Sequence, residues 1–161
     1  AKKSYTVGQV NGYIKNLIDK YQIPMELFQL EITETTENAE SLSYINSLKQ
    51  AGFTLLMDDF GSGYSSLCML KNTPFDVLKM DRQFLDECLD SKQGKTIISH
   101  VISMSNDLGL SIIAEGVENR GTADFLYDNG CSVSQGFYFS KPVSIPEFEH
   151  MLDEQQTEQQ R

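Results

Sequence analysis

The sequence predicts an α/β fold of about five parallel strands with flanking helices. Short apolar segments alternate with helical patterns, and 161 residues are enough for one domain with a hydrophobic core. The predicted strands cover residues 27–32, 53–58, 75–80, 110–115 and 131–136. Short apolar runs bounded by Gly, Pro or Asp are typical of strands covered on both faces, so the repeated strand–helix order predicts a parallel sheet.

Apolar residues at helical spacing predict the helices that separate these strands. The helices cover residues 7–21, a segment around 42–48 ending near Gly52, a segment around 97–108 ending at Gly109, and residues 119–129. Ser144 and Glu147 form a capping-box pattern that predicts the start of a last helix. The polar segment 153–161 follows this helix, and we expect it to fray or to be disordered.

Composition excludes several classes of protein. The net charge of −10 argues against broad electrostatic binding to a nucleic-acid polymer or an anionic membrane. No apolar run approaches the roughly 20 residues of a membrane span, and no signal-peptide pattern occurs. The three cysteines lack metal-ligand spacing, and such thiols are typical of a reducing cytosol. We therefore expect a cytoplasmic protein, or the cytoplasmic part of a membrane-anchored one.

Side chains that can carry chemistry lie at or just beyond the carboxyl end of each predicted strand. In chain order they are Glu31, Asp58, Asp59, Lys79, Asp81, Glu115, Glu118 and Gln135. The carboxyl ends of the strands form the active-site face of a (β/α) barrel. One charged residue at a strand end is usually a helix cap or a turn former. Its recurrence on successive strands predicts a shared site.

Asp58 and Asp59 are adjacent at the end of their strand, and Gly61 allows the following loop to adopt backbone conformations that other residues avoid. Two close carboxylates repel each other unless they are protonated or bind a cation. A turn with an Asx hydrogen bond explains the pair taken alone. With Glu31 and Glu115 the site has four carboxylates, whose hard oxygens select Mg²⁺, Mn²⁺ or Ca²⁺ and can supply two ions.

Five segments, in this order, carry a resemblance to a known family. They are LEITET (30–35), DDFGSGYSSL (58–67), VLKMDRQF (77–84), IIAEGVEN (112–119) and SQGFYFSKP (134–142). The sequence resembles the EAL family, bacterial phosphodiesterases that hydrolyse cyclic di-GMP to the linear dinucleotide. The resemblance implies a (β/α)8 TIM-like barrel, two-metal catalysis with Mg²⁺ or Mn²⁺, and cyclic di-GMP as the ligand.

The resemblance also implies roles for individual residues. The implied metal ligands are Glu31, Asp58, Asp59 and Glu115. The implied catalytic residues are Lys79 at the catalytic water, Glu115 as a ligand or base, Glu118 as a supporting carboxylate, and Glu34, which steadies the loop after Asp59. The implied substrate-binding residues are Gln135, Asp81, Gly61 and Ser62.

One part of the family pattern is missing. A Glu-x-Leu motif and an asparagine, which supply two further metal ligands in the family, should precede the first predicted helix, and residues 1–6 contain neither. Five predicted strands also fall short of a complete barrel of about 250 residues. We therefore expect residues 1–152 to be an incomplete EAL domain, its C-terminal part, followed by the polar tail 153–161. Uncovered strand edges favour a homodimer.

The expected function is thus part of a bacterial cyclic di-GMP-specific phosphodiesterase, with the isolated chain inactive. Two alternatives are a degenerate EAL domain that acts as a cyclic di-GMP receptor or protein-interaction module, and a purely structural role. The retention of Glu31, Asp58, Asp59, Lys79 and Glu115 argues against degeneration, since a receptor does not need the whole set. Upstream sensory or GGDEF-type domains are further expected partners.

Overall fold

A computed structural model describes residues 7–33, 39–61 and 66–159. The helices are α1 (Val7–Tyr21), α2 (Ala39–Gln50), α3 (Ser66–Asn72), α4 (Arg82–Leu89), α5 (Lys92–Asp107), α6 (Arg120–Asp128) and α7 (Ile145–Gln159). The strands are β1 (Gln29–Thr33), β2 (Thr54–Phe60), β3 (Val77–Met80), β4 (Ser111–Ala114) and β5 (Val133–Ser134). A short 3₁₀ helix, Met25–Leu27, precedes β1.

The five strands form one parallel sheet in the order β1-β2-β3-β4-β5, so each strand pairs with the next along the chain. Helices connect successive strands, as parallel pairing requires. Within the described residues, β1 and β5 each pair with one strand only, and they form the two edges of the sheet. The predicted fold class, a partial (β/α) barrel of five parallel strands with flanking helices, is confirmed.

The hydrophobic core is centred on strands β2 and β3. All four residues of β3 are buried, and Leu55, Met57, Leu78 and Met80 are completely inaccessible to solvent. Edge strand β1 instead alternates between exposed and half-buried residues. Burial of one such side chain contributes about 1.5–3 kcal/mol, so the centre of the sheet provides the rigid base on which the strand ends are held.

The helix ends follow the predicted capping signals in several places. The Ser144 backbone N–H and hydroxyl donate to Glu147 Oε2 at 3.0 and 2.8 Å, directly before α7. Asn119 caps α6 by accepting from the Thr122 N–H at 2.9 Å.

The polar segment 153–161, expected to fray or to be disordered, is helical as far as Gln159, because α7 continues through it. Helix α3 has no counterpart in the helices predicted from periodicity.

No helix among the described residues is long and apolar enough to cross a membrane.

Candidate active site

Lys79, on central strand β3, is the centre of the site. Its side chain is only 7% exposed, and its Nζ lies 2.6 Å from Glu31 Oε1, 2.8 Å from Asp58 Oδ1 and 2.8 Å from Glu115 Oε1. Glu31 comes from β1, Asp58 from β2, and Glu115 directly follows β4. Because the strands are parallel, these residues all lie toward the same end of the sheet, where the carboxyl ends of the strands meet. Four of the predicted site residues therefore meet in one cluster, which we call the Lys79 centre.

The Lys79 ammonium is stabilised in its charged form. Burial alone would lower the pKa of Lys79, but hydrogen bonds to Asp58, Glu115 and Glu31 outweigh burial and raise the pKa above its ordinary value. Lys79 therefore stays protonated at neutral pH. It can act as a hydrogen-bond donor and a positive charge, whereas it is unsuited to act as a general base.

Asp59 lies on a distortion of β2. Met57 pairs with Leu78 whereas Phe60 pairs with Met80, so β2 contains one extra residue at this point, and Asp59 has φ of +58°. A β-bulge of this kind redirects side chains and is common beside active sites. Burial raises the pKa of the Asp59 carboxyl, and the negative charges of Asp58 and Asp81 raise it further. The carboxylates of Asp58 and Asp59 are therefore close enough to interact electrostatically.

Gln135 extends the Lys79 centre toward the last strand. Its side-chain amide donates to Glu115 Oε1 at 2.7 Å, and it directly follows β5. Lys79, Glu115 and Gln135 therefore form a hydrogen-bonded chain across the ends of β3, β4 and β5. This hydrogen bond also restrains the orientation of the Glu115 carboxylate.

Two further predicted residues, Asp81 and Glu118, make contacts close to the Lys79–Glu115–Gln135 hydrogen bonds. Asp81 caps α4, since its carboxylate accepts from the Gln83 N–H at 2.7 Å. Glu118 forms an ion pair with Arg82, whose Nη1 lies 2.6 Å from Glu118 Oε1. Sequence reasoning does not single out Arg82, although it directly follows Asp81 in the same motif. An Arg next to a strand-end carboxylate was the signal that could have identified it.

The remaining predicted residues lie in the loops. Gly61 has φ of +99°, and a Cβ atom there would lie 2.5 Å from Phe84 Cγ, so this position requires glycine for backbone shape and for packing. Glu34 and Ser62 lie outside the described residues.

The donor set of the site fits a hard divalent cation. Glu31, Asp58, Asp59 and Glu115 supply carboxylate oxygens, the ligand type that Mg²⁺ and Mn²⁺ prefer. Within the part of the chain that the structure describes, no three His, Cys, Asp or Glu side chains are arranged as a ready-made metal site. Three of the carboxylates instead point at the Lys79 ammonium.

These features define a parallel α/β domain with an acidic, lysine-centred site at the carboxyl ends of its strands. The model of the EAL domain matches residues 3–142, and the chain belongs to this family.

Two curated relatives illustrate this membership. The chain is 39% identical over 145 residues to the signaling protein YkoW of Bacillus subtilis, covering 88% of this chain and 18% of YkoW. It is 38% identical over 143 residues to the cyclic di-GMP phosphodiesterase RocR of Pseudomonas aeruginosa, covering 87% of this chain and 36% of RocR. The chain thus spans well under half the length of either relative.

Solved structures show the same fold. The EAL domain of Mycobacterium smegmatis DcpA aligns with a TM-score of 0.80 at 34% identity, over 92% of this chain and 66% of that one. A manganese and cyclic di-GMP complex of Klebsiella pneumoniae BlrP1 aligns with a TM-score of 0.75 at 30% identity, over 82% of this chain and 34% of that one.

Proposed function

We propose that this chain is part of a cyclic di-GMP phosphodiesterase that hydrolyses its substrate to the linear dinucleotide with the help of two metal ions. The observation that carries the proposal is the Lys79 centre, in which a buried lysine meets carboxylates from three different strands in an EAL-family chain. The names of relatives support the substrate: RocR is a cyclic di-GMP phosphodiesterase, and BlrP1 forms a complex with manganese and cyclic di-GMP.

The residues divide into three roles under this proposal. Glu31, Asp58, Asp59 and Glu115 would hold Mg²⁺ or Mn²⁺. When bound, such ions supply an activated water and withdraw charge from the phosphodiester. Lys79 would donate a hydrogen bond to the attacking water and stabilise negative charge, because an ammonium group is a hydrogen-bond donor and carries a positive charge.

The other residues orient these groups and the substrate. Gln135 donates a 2.7 Å hydrogen bond to Glu115 and would also contact the substrate. The remaining proposed roles are a supporting carboxylate for Glu118, loop restraint for Glu34, and substrate contacts for Asp81, Gly61 and Ser62.

A second proposal concerns the chain by itself, which we expect to be inactive. The sequence before α1 contains no Glu-x-Leu motif and no asparagine, the two further ligands that the family pattern implies. Mg²⁺ demands near-ideal octahedral geometry, so a site with fewer protein ligands holds the ion less rigidly. A displacement of about 1 Å can cost roughly 100-fold in rate.

A receptor or protein-interaction module is the alternative function. The intact Lys79 centre favours the phosphodiesterase, because a receptor has no need of a protonated lysine among metal-type carboxylates.

We further propose that the chain forms a homodimer. Strands β1 and β5 are sheet edges in the described structure, and unpaired edges are templates for association. Exposed apolar side chains accompany the β5 edge, including Val133, Phe137 and Phe139.

The decisive experiment measures hydrolysis of cyclic di-GMP with Mg²⁺ or Mn²⁺ by product chromatography. It compares the 161-residue chain, a polypeptide extended by the residues encoded immediately upstream, and RocR as positive control. We expect the linear dinucleotide from the extended polypeptide and from RocR, and none from the short chain. Binding without turnover by the extended polypeptide would instead establish the receptor alternative. Robust turnover by the short chain would refute its proposed inactivity.

A further inference from the structure

A cavity of about 630 Å³ lies at the carboxyl ends of β3, β4 and β5. Its polar lining includes Arg82, Glu118, Gln135 and Lys141. Its apolar lining includes Phe137, Val143, Ile145 and Phe148. Gln135 connects the cavity to the Lys79 centre, because the same side chain donates to Glu115. A cavity of this size, with apolar walls and a few polar groups, is typical of a small-molecule site.

The aliphatic stem of Arg82 lies against the loop that follows β4. A Cβ atom on residue 116 would lie 2.5 Å from Arg82 Cγ and 2.6 Å from Arg82 Cβ, so only glycine permits this approach. Gly116 also has φ of +67°, which residues with a side chain rarely adopt. The loop that carries Glu118 is therefore shaped to receive the Arg82 stem.

The guanidinium of Arg82 is held on two sides. Nη1 lies 2.6 Å from Glu118 Oε1, and Nε donates to Asp86 Oδ2 at 3.2 Å, one turn further along α4. The side chains of Arg82 and Glu118 are 51% and 44% exposed, and exposed ion pairs contribute little to folding stability. These contacts are therefore better explained by the orientation they give to the two side chains than by a contribution to folding stability. Asp86 and Gly116 restrain Arg82, and Arg82 restrains the Glu118 carboxylate at the cavity wall.

We propose that Arg82 is a positioning residue that presents Glu118 to the N–H donors of a guanine base in this cavity. The inference rests on the proposed function, in which the ligand is cyclic di-GMP. The ring N–H and the amino group of guanine lie on one edge and match a carboxylate, whereas adenine has no ring donor at the equivalent position. A carboxylate that is oriented before the ligand arrives loses less conformational freedom on binding.

Nucleotide binding by the 161-residue chain tests this inference, with GMP and AMP as the probes in calorimetry or NMR titrations. Arg82→Gln removes the ion pair at an exposed position and leaves the core untouched. Arg120→Gln is the matched control, because Arg120 pairs with Asp124 at 3.3 Å on the exposed surface of α6 and does not line the cavity. Arg82→Lys keeps the charge but lacks the planar fork of donors.

We expect the wild-type chain to prefer GMP over AMP. Arg82→Gln should weaken GMP binding roughly three- to tenfold and change AMP binding little, because only guanine uses the oriented carboxylate. Arg120→Gln should bind both probes as the wild type does, and Arg82→Lys should fall between the wild type and Arg82→Gln. The ¹³C signal of the Glu118 carboxyl should shift in Arg82→Gln and stay in place in Arg120→Gln.

Three results would overturn the inference: equal GMP binding by the wild type and Arg82→Gln, equal losses for GMP and AMP, or no binding of GMP by the wild-type chain. The probes are mononucleotides without a bridging phosphodiester. Their binding is therefore a separate result from cyclic di-GMP turnover, which decides the proposed function.

Discussion

Lys79 Nζ on β3 lies 2.6 Å from Glu31 Oε1 on β1, although β2 lies between the two strands. The two residues are 48 positions apart in the sequence. Two strand spacings amount to about 10 Å, so the two side chains reach toward each other across the end of β2. Asp58 on β2 meets the same ammonium at 2.8 Å. The convergence requires that all three side chains lie on the same face of the sheet, toward the carboxyl ends of their strands.

Lys79→Met should strongly destabilise the domain. The substitution leaves Asp58 and Glu115 close together, each with a side chain only 17% exposed, without the cation that neutralises them. Loss of one partner from a buried ion pair costs about 3–5 kcal/mol. Urea unfolding in a chelating buffer measures this loss, with Lys15→Met on the exposed surface of α1 as the control. Equal stability of the two variants would show that the Lys79 centre does not hold the strand ends together.

The pH dependence of the same comparison has a definite sign. The pKa of Lys79 is raised in the folded state, so its stabilising contribution is complete below the ordinary value of 10.5 and is lost as pH rises through the folded value. The stability difference between wild type and Lys79→Met should therefore be constant from about pH 7 to about pH 9. A stability difference that declines between pH 7 and pH 9 would mean that Lys79 loses its proton in this range, and that its pKa is therefore not raised.

Asp59→Asn should stabilise the domain at neutral pH. The pKa of Asp59 is raised in the folded state, so the folded state binds the proton more tightly than the unfolded state does, and stability is lost as pH rises from the ordinary value of 3.8 through the folded value. Asparagine removes this loss and tolerates the positive φ of residue 59. The urea midpoint in a chelating buffer should rise, and the gain should vanish below the ordinary pKa. The exposed Asp128→Asn is the control, and an unchanged or lower midpoint for Asp59→Asn would contradict the prediction.

Asp58→Asn should abolish metal-dependent turnover in the extended polypeptide. Under the proposed function Asp58 is one of the four carboxylates that would hold the ions, and removal of its charge would weaken their binding. The measurement is the rate of linear dinucleotide formation as Mg²⁺ or Mn²⁺ is titrated, with Asp128→Asn expected to match the wild type. Wild-type rates in Asp58→Asn would show that the two-metal assignment is wrong.

Val133→Lys should weaken self-association. Val133 is 52% exposed on edge strand β5, and a lysine on an edge strand opposes pairing with a second sheet. Light scattering at tens of micromolar should show a dimer for the wild type and a monomer for the variant. Leu108→Lys, at an exposed position after α5, should remain dimeric. A monomeric wild type would refute the proposed dimer.

The positions of the strands along the chain, and the polar side chains at their carboxyl ends, could be predicted from the sequence alone. Apolar runs that end in polar residues are local signals, and a parallel sheet brings such ends together regardless of detail, so the meeting of Glu31, Asp58, Lys79 and Glu115 could be predicted. Element bounds were less accurate: β5 is two residues long, and α7 continues to Gln159 through a segment expected to be disordered. A polar composition does not by itself show whether a segment is disordered or continues a helix that began before it.

The contacts between side chains, in contrast, could not be predicted before the folded structure was known. The bulge that gives Asp59 its positive φ depends on the register between β2 and β3, which no local pattern encodes. The hydrogen bond from Gln135 to Glu115 joins residues 20 positions apart. The placement of Arg82 between Asp86 and Glu118 depends on how closely the loop at Gly116 approaches α4. Side-chain direction is set by packing between distant segments, and for this reason sequence reasoning did not single out Arg82, which pairs with Glu118.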